Sequence, residues 1–214
     1  MTATTDLGAH SDQADDHAAG RPHAQAAGRP HRPAPPAPRR PGEGPDPEQP
    51  GRDGQPGLDA AVFRAAFRRH AAGVAVVTAS GPAGPVGFTA TSLTSVAVEP
   101  PMLSFGISVG SSCWPVVAEA PYVGVHILGE HQEELAALFA RSGAERFGPG
   151  TAWSPGPHGV PVLDGVAAWL VGRVAGRVPA GDHRIVVAEA VAGDPHGPGR
   201  PLLYHQGGFH RLGH

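Results

Sequence analysis

Residues 1–57 contain no Val, Ile, Phe, Trp, Tyr or Cys, and Met1 and Leu7 are their only large aliphatic side chains. No hydrophobic core forms from such a segment, so the folded part of this chain must come from residues 58–214. The first segment also holds 11 of the 25 prolines, a composition that favours extended, solvated backbone, and it is read as a disordered tail. It has no apolar run of the roughly 7–15 residues that a secretory signal needs, and Asp6, Asp12, Asp15 and Asp16 argue against a transit peptide.

The remaining 157 residues suffice for one domain with one core, burying about 70% of the surface its unfolded chain exposes. No apolar run approaches the ~18 residues needed to span a bilayer, and a single cysteine, Cys113, excludes an intramolecular disulfide framework. The expectation is a soluble cytoplasmic protein without a membrane partner. Ten Arg face eleven Asp and Glu in the domain, so there is no basic stripe for a phosphate backbone, and nucleic acid is not expected as a partner. The sequence has neither Lys nor Asn, which removes Schiff-base lysines, the Walker lysine and asparagine amide contacts.

Residues 58–72 place Val62, Phe63, Ala66, Phe67 and His70 at three- and four-residue spacings between Asp59 and Gly73, which predicts an amphipathic helix. The β-branched run at 74–78, the GPAG turn at 81–84 and the run at 86–98 predict a hairpin with a four-residue loop. Strands are expected at 102–108 and 122–128, with a turn or two of helix at 111–120 between them. A helix is expected at 130–141, where Glu130, Glu133 and Glu134 load the first turn and Leu135, Leu138 and Phe139 form a stripe. Two longer strands, 166–178 and 183–191, flank a PAGD turn, and a last strand at 201–212 is interrupted at Gly207 and Gly208. Many strands, few helices and frequent Gly/Pro turns describe an antiparallel barrel with helical caps, not a doubly wound sheet. No Rossmann or P-loop motif is present.

The run 87–101, GFTATSLTSVAVEPP, concentrates five hydroxyls: Thr89, Thr91, Ser92, Thr94 and Ser95. An unpaired buried hydroxyl costs about 1–3 kcal/mol, so they must meet water, backbone or a polar ligand. An exposed edge strand and a ligand edge both satisfy that requirement, with Val96 and Val98 continuing the strand into packing.

Seven segments occur in a familiar order: FRAAFRRHAAGVAVVTA (63–79), GFTATSLTSVAVEPPMLSFGIS (87–108), VHILGEHQEELAALFA (125–140), ERF (145–147), GVPVLDGVAAWL (159–170), AGDH (180–183) and PLLYHQGGF (201–209). Together they resemble the flavin reductase-like proteins with an FMN-binding split barrel, the reductase components of two-component flavin-dependent monooxygenases. The resemblance spans nearly all of 58–214. It implies a mainly β fold with helical caps, an antiparallel Greek-key split barrel that forms a homodimer, binds FMN or FAD and takes hydride from NADH or NADPH. Reduced flavin would then pass to a partner monooxygenase.

The resemblance also implies roles. Thr89, Ala90, Thr91 and Ser92 match a TANS-type segment that meets the polar edge of the flavin ring, with Ser95 just beyond. Ser108, Ser111 and Ser112 match a segment near ribityl and phosphate. Arg146 and Phe147 match an Arg-Phe pair that closes over the flavin, His126 stands where the family often has an asparagine on the flavin side, and His183 lies in a Gly-Asp-His motif associated with nicotinamide. Thr91 likewise replaces an amide with another hydrogen-bonding group.

Hydride transfer between nicotinamide and flavin needs stacked rings and belongs to the cofactors, so the protein mainly orients and no catalytic acid, base or triad is expected. A neutral His183 can stack on or hydrogen-bond to nicotinamide, whereas Asp182 reads as a turn cap. His205, His210 and His214 fit no zinc spacing, and Cys113 beside Trp114 reads as a packed residue without a resolving partner. Two alternatives stand beside the reductase: a non-enzymatic flavin carrier on the same fold, and an adaptor whose Pro/Arg-rich tail tethers the domain to an oxygenase.

Overall fold

A computed structural model describes residues 57–213, so the reading of the tail falls outside the described residues but for Gly57. Helix α1 (Ala60–Arg68) stops short of the expected 58–72 because Ala72 and Gly73 already pair as strand β1 (Ala72–Gly73) with a strand near the C-terminus. Strand β2 (Ala75–Gly81) is buried along five successive residues, and β3 (Gly84–Ala90) returns beside it. Gly81 and Gly84 pair, so the loop is Pro82 and Ala83, two residues and not four. Gly84 makes this tight return with φ of 119°, a conformation that glycine alone adopts freely.

The expected single strand 86–98 is two strands. Ala90 is the last residue of β3 to find a partner on β2, where it faces Ala75. The chain then leaves for β4 (Thr94–Ala97), which pairs with β5 (Met102–Ser108). Val96 and Val98 therefore do not continue a packed strand: among the described residues β4 has β5 alone beside it, and the two valines are 56% and 81% exposed. Helix α2 (Trp114–Glu119), β6 (Tyr122–Ile127), helix α3 (Glu133–Ala140) and the small antiparallel pair β7 (Trp153–Pro155) and β8 (Pro161–Leu163) follow. The long strands β9 (Ala168–Ala180) and β10 (His183–Asp194) turn through Gly181 and Asp182. The expected last strand is a hairpin, β11 (Leu203–His205) and β12 (Gly208–His210). Gln206 and Gly207 both have positive φ, 52° and 88°, as the tightest hairpin turns require.

Seven strands form one antiparallel sheet in the order β3-β2-β6-β9-β10-β5-β4. Its two edge strands are consecutive in the chain, joined by residues 91–93 alone. Laid flat, seven strands would separate those edges by roughly 29 Å, while a three-residue link reaches about 14 Å at most. The sheet must therefore curl until its edges approach each other. The Gly106 N–H donates to Ser92 Oγ at 2.9 Å, fastening the link to β5.

Curling gives the sheet an inside and an outside. Inside, Val77, Phe88, Leu103, Phe105, Ile107, Val125 and Val186 pack with Cys113 and Val117. On the opposite face α3, β7–β8 and the C-terminal hairpin cover Val74, Val76, Leu128, Phe139 and Leu163. Hydroxyls fasten these covers: Thr89 Oγ1 donates to Ala136 O, Thr78 Oγ1 to Pro161 O and Ser80 Oγ to Gly159 O, each at 2.7 Å. Among the described residues no helix is long and apolar enough to cross a membrane.

Candidate functional site

Strand β5 reads MLSFGIS, and its burial alternates strictly. Leu103, Phe105 and Ile107 point into the core, so a period of two puts Ser104, Gly106 and Ser108 on the outer face. The ladder brings Val187, Ile185 and His183 of β10 opposite them, and Thr94 of β4 opposite Ser104. Over this face lies a groove of about 540 Å³ lined by Phe63, Arg64, Ser92, Thr94, Ser104, Phe105, Gly106, Ala180, Asp182, His183 and Ile185. Ile185 gives it an apolar floor, three hydroxyls one polar wall, and α1 with Phe63 the other side. Helix α1 buries none of its residues.

At the β9–β10 turn His183 Nδ1 donates to Asp182 Oδ1 at 2.7 Å, and this bond holds the Asp182 carboxyl below the usual carboxylate range. The turn is fixed by its backbone, since Val109 N donates to Asp182 O at 3.0 Å. Arg184 Nη1 donates to His183 O at 2.9 Å, and its guanidinium lies 6.0 Å from the Trp114 ring centroid. The imidazole therefore enters the groove on a braced backbone.

A second polar cluster surrounds the start of α2. Ser111 Oγ accepts the Cys113 N–H at 3.3 Å, and the Cys113 thiol donates to Gly87 O at 3.2 Å. Arg146 Nη1 donates to Cys113 Sγ at 3.2 Å and Nη2 to Arg141 O at 2.7 Å. Arg146 Nε is buried without a partner among the described residues. A buried guanidinium N–H left unpaired, on a side chain tied to Cys113, is a donor that suits an anionic oxygen.

The family described as flavin reductase like domain matches residues 67–213. This chain belongs to that family. It is 43% identical over 159 residues to an NADH:FMN oxidoreductase of Rhodococcus qingshengii, covering 72% of this chain and 83% of the relative. A crystal structure of a flavin reductase domain protein from an Arthrobacter species superposes with a TM-score of 0.67 at 42% identity, covering 72% of this chain and 98% of that one. The styrene monooxygenase flavin reductase of Pseudomonas putida superposes with a TM-score of 0.62 at 30% identity, over 69% of this chain and 95% of the other.

Within this flavin reductase domain the residues singled out from the sequence separate into groups. Ser92 and His183 line the groove, and Ser108 faces His183 across the ladder while its Oγ accepts the Gly110 N–H at 3.2 Å. Ala90 is buried and Thr91 half-buried at the end of β3 and the start of the link. Ser111 and Arg146 both bond Cys113 in the second cluster, and Ser112 precedes Cys113 in the chain. Ser95 is exposed on β4 and is not among the groove residues. Thr89 spends its hydroxyl on α3.

Phe147 packs edge-to-face on Phe139 and Trp153, at 5.3 and 5.5 Å between centroids. His126 is fully buried between Val76 and Trp169. Its Nδ1 donates to Val76 O at 3.0 Å and its Nε2 has no partner among the described residues. Burial pulls its pKa down to about 4 against the opposing effect of that hydrogen bond, so it is a neutral packed side chain outside both polar clusters.

Sequence reasoning missed Phe63, Arg64, Ser104, Gly106 and Ile185 as groove residues. The period-two alternation of MLSFGIS was the available signal for Ser104 and Gly106. Nothing local marked α1, because its position over the sheet is a tertiary fact. The His205–His210 pair lies edge-to-face at 6.0 Å, with Nε2 of His210 donating to His205 O at 3.0 Å. His214 lies outside the described residues, and among those described no group of three His, Cys, Asp or Glu could hold a metal ion.

Proposed function

We infer that this chain is an NADH-dependent flavin reductase that takes free FMN or FAD as substrate and delivers the reduced flavin to a partner monooxygenase. The observation that carries the reading is the groove itself: an apolar floor, hydroxyls from Ser92, Thr94 and Ser104, and the braced Asp182–His183 pair, all on one outer face of a flavin reductase sheet. Apolar rings lie on such a floor, while hydroxyls and imidazole fix their polar edges. The flavin, when bound, accepts the hydride that reduced nicotinamide gives up. The protein's part is to hold two rings in contact and to keep water from between them.

In this reading Thr91 and Ser92 meet the polar edge of the flavin ring, Ser108, Ser111, Ser112 and Arg146 serve its ribityl and phosphate, and His183 holds the nicotinamide. Ala90, Thr89 and Phe147 shape the site from behind. The buried, unpartnered Nε of Arg146 supports the phosphate assignment. The curled sheet with its three-residue edge link is read as a Greek-key split barrel over residues 58–214, assembled as a homodimer. The monooxygenase partner is carried over from the relatives whose names couple such reductases to oxygenases.

The test is NADH oxidation by the purified chain with and without FMN, FAD or riboflavin. Turnover is expected only when flavin is added, and His183→Ala is expected to raise the KM for NADH about tenfold, the loss of roughly one good polar contact, with the KM for FMN little changed. A chain that retains bound flavin yet oxidises no NADH is a carrier, and the reading fails.

A further inference from the structure

Among the described residues the groove has one permanently cationic side chain, Arg64, and the activity inferred above does not yet use it. Arg64 projects from α1, where it is exposed and makes no hydrogen bond or ion pair with another described residue. Its neighbour Phe63 lines the same groove and packs against Phe67 with the rings tilted and their centroids 4.7 Å apart. Core packing does not explain why a Phe-Arg pair stands here, since α1 has no buried residue.

The remaining lining accounts for most of a nicotinamide dinucleotide. Phe63 and Ile185 offer apolar contact for rings, Thr94 and Ser104 offer hydroxyls for amide and ribose, and the Asp182–His183 pair fixes the turn. None of these neutralises a diphosphate, which brings two negative charges into the same groove. Guanidinium is the side chain suited to bridging phosphate oxygens with paired N–H donors.

We propose that Arg64 receives the diphosphate of the nicotinamide donor and thereby sets the enzyme's affinity for it. The proposal rests on the reading of this groove as the donor site. It commits to the donor's phosphates and not to the phosphate of FMN, which the Arg146 cluster serves. Arg64 makes no contact with the transferred hydride, so its effect falls on KM and leaves kcat in place.

The experiment compares wild type, Arg64→Ala, Arg64→Lys and Arg69→Ala with two donors, NADH and the phosphate-free 1-benzyl-1,4-dihydronicotinamide, and two acceptors, FMN and riboflavin. Arg64→Ala is expected to raise the KM for NADH about five- to tenfold, as for a partly exposed charge pair at its strongest, with either acceptor and with kcat unchanged. With the phosphate-free donor the same variant should match wild type. Arg64→Lys should recover part of the loss, and Arg69→Ala, which removes a nearby charge outside the groove, should behave as wild type. The wild-type KM for NADH should rise with salt and that of Arg64→Ala should not.

An unchanged KM for NADH in Arg64→Ala overturns the proposal. So does an equal loss with the phosphate-free donor, which would mean that α1 had merely shifted, or a loss that vanishes when riboflavin replaces FMN, which would assign Arg64 to the flavin. Failure of the wild type to oxidise either donor would instead overturn the reductase reading beneath it.

Discussion

Two sets of hydroxyls on one curled sheet have opposite duties. Thr78, Ser80 and Thr89, on β2 and β3, each donate at 2.7 Å to a backbone carbonyl of an element lying over the sheet. Ser92, Thr94 and Ser104, on the edge link, β4 and β5, line an open groove. Thr89 and Ser92 are three residues apart, so composition does not separate them. What separates them is cover: α3 and β7–β8 lie over the buried Thr78 and Thr89, whereas among the described residues it is helix α1, none of whose residues is buried, that lies over the second set. A covered hydroxyl must be satisfied within the fold, whereas an uncovered one remains available to a ligand.

That contrast breaks most visibly at the cover itself. Phe139→Ala removes a buried ring of α3 that packs on Phe147 and should cost about 3–5 kcal/mol in urea unfolding. A smaller loss would mean that α3 is a loose cap and that the covered face resembles the open one.

The pH dependence of stability sharpens the same point, because the covered side holds His126 with its pKa lowered by burial to about 4, from the ordinary imidazole value of about 6.5. The unfolded chain binds a proton there between those two values and the folded chain does not. The stabilisation is therefore complete above pH 6.5 and is lost as pH falls toward 4, by about 3 kcal/mol in all. Unfolding midpoints across that range should show this slope in wild type, and His126→Leu should flatten it.

Single hydroxyls then distinguish the two sets directly. Thr89→Val leaves Ala136 O without its donor and should cost about 1–3 kcal/mol of stability, with KM values for NADH and FMN close to wild type. Ser104→Val should do the reverse, leaving the unfolding midpoint in place while raising the KM for NADH or flavin about fivefold, a little over 1 kcal/mol of binding. Ser95→Val, exposed and outside the groove, should change stability by no more than about 0.5 kcal/mol and leave kinetics untouched. If Thr89→Val impaired turnover as much as Ser104→Val, the division into fastening and ligand-facing hydroxyls would be wrong.

Much of the architecture was legible in the chain. Short apolar runs located β5, β6, β9 and β10, and the Gly/Pro punctuation located their turns, because both signals are local to a few residues. The run 86–98 misled because its Thr, Ser and Val have the same strand propensity on either side of residues 91–93. Where a strand ends is set by where its neighbour stops pairing, here at Ala75 opposite Ala90, and a neighbour is not a local property. The exposure of Val96 and Val98 has the same cause. His126 shows the limit of matching residues to a family pattern, since its position in the strand was identified while its face, between Val76 and Trp169 in the covered core, was not.

By itself, then, the sequence determined that the core is built of antiparallel strands and that the chain carries the ordered segments of the flavin reductases. Those are consequences of hydrophobic content, periodicity and local turn chemistry, each readable within a few residues. Only the tertiary structure decided which hydroxyls are sealed and which face the groove, that Arg146 is tied to Cys113, and that Phe63 and Arg64 stand across from His183. Such facts depend on a three-residue link drawing two edges of a sheet together and on which elements then cover each face, and no stretch of sequence short enough to read locally contains both partners.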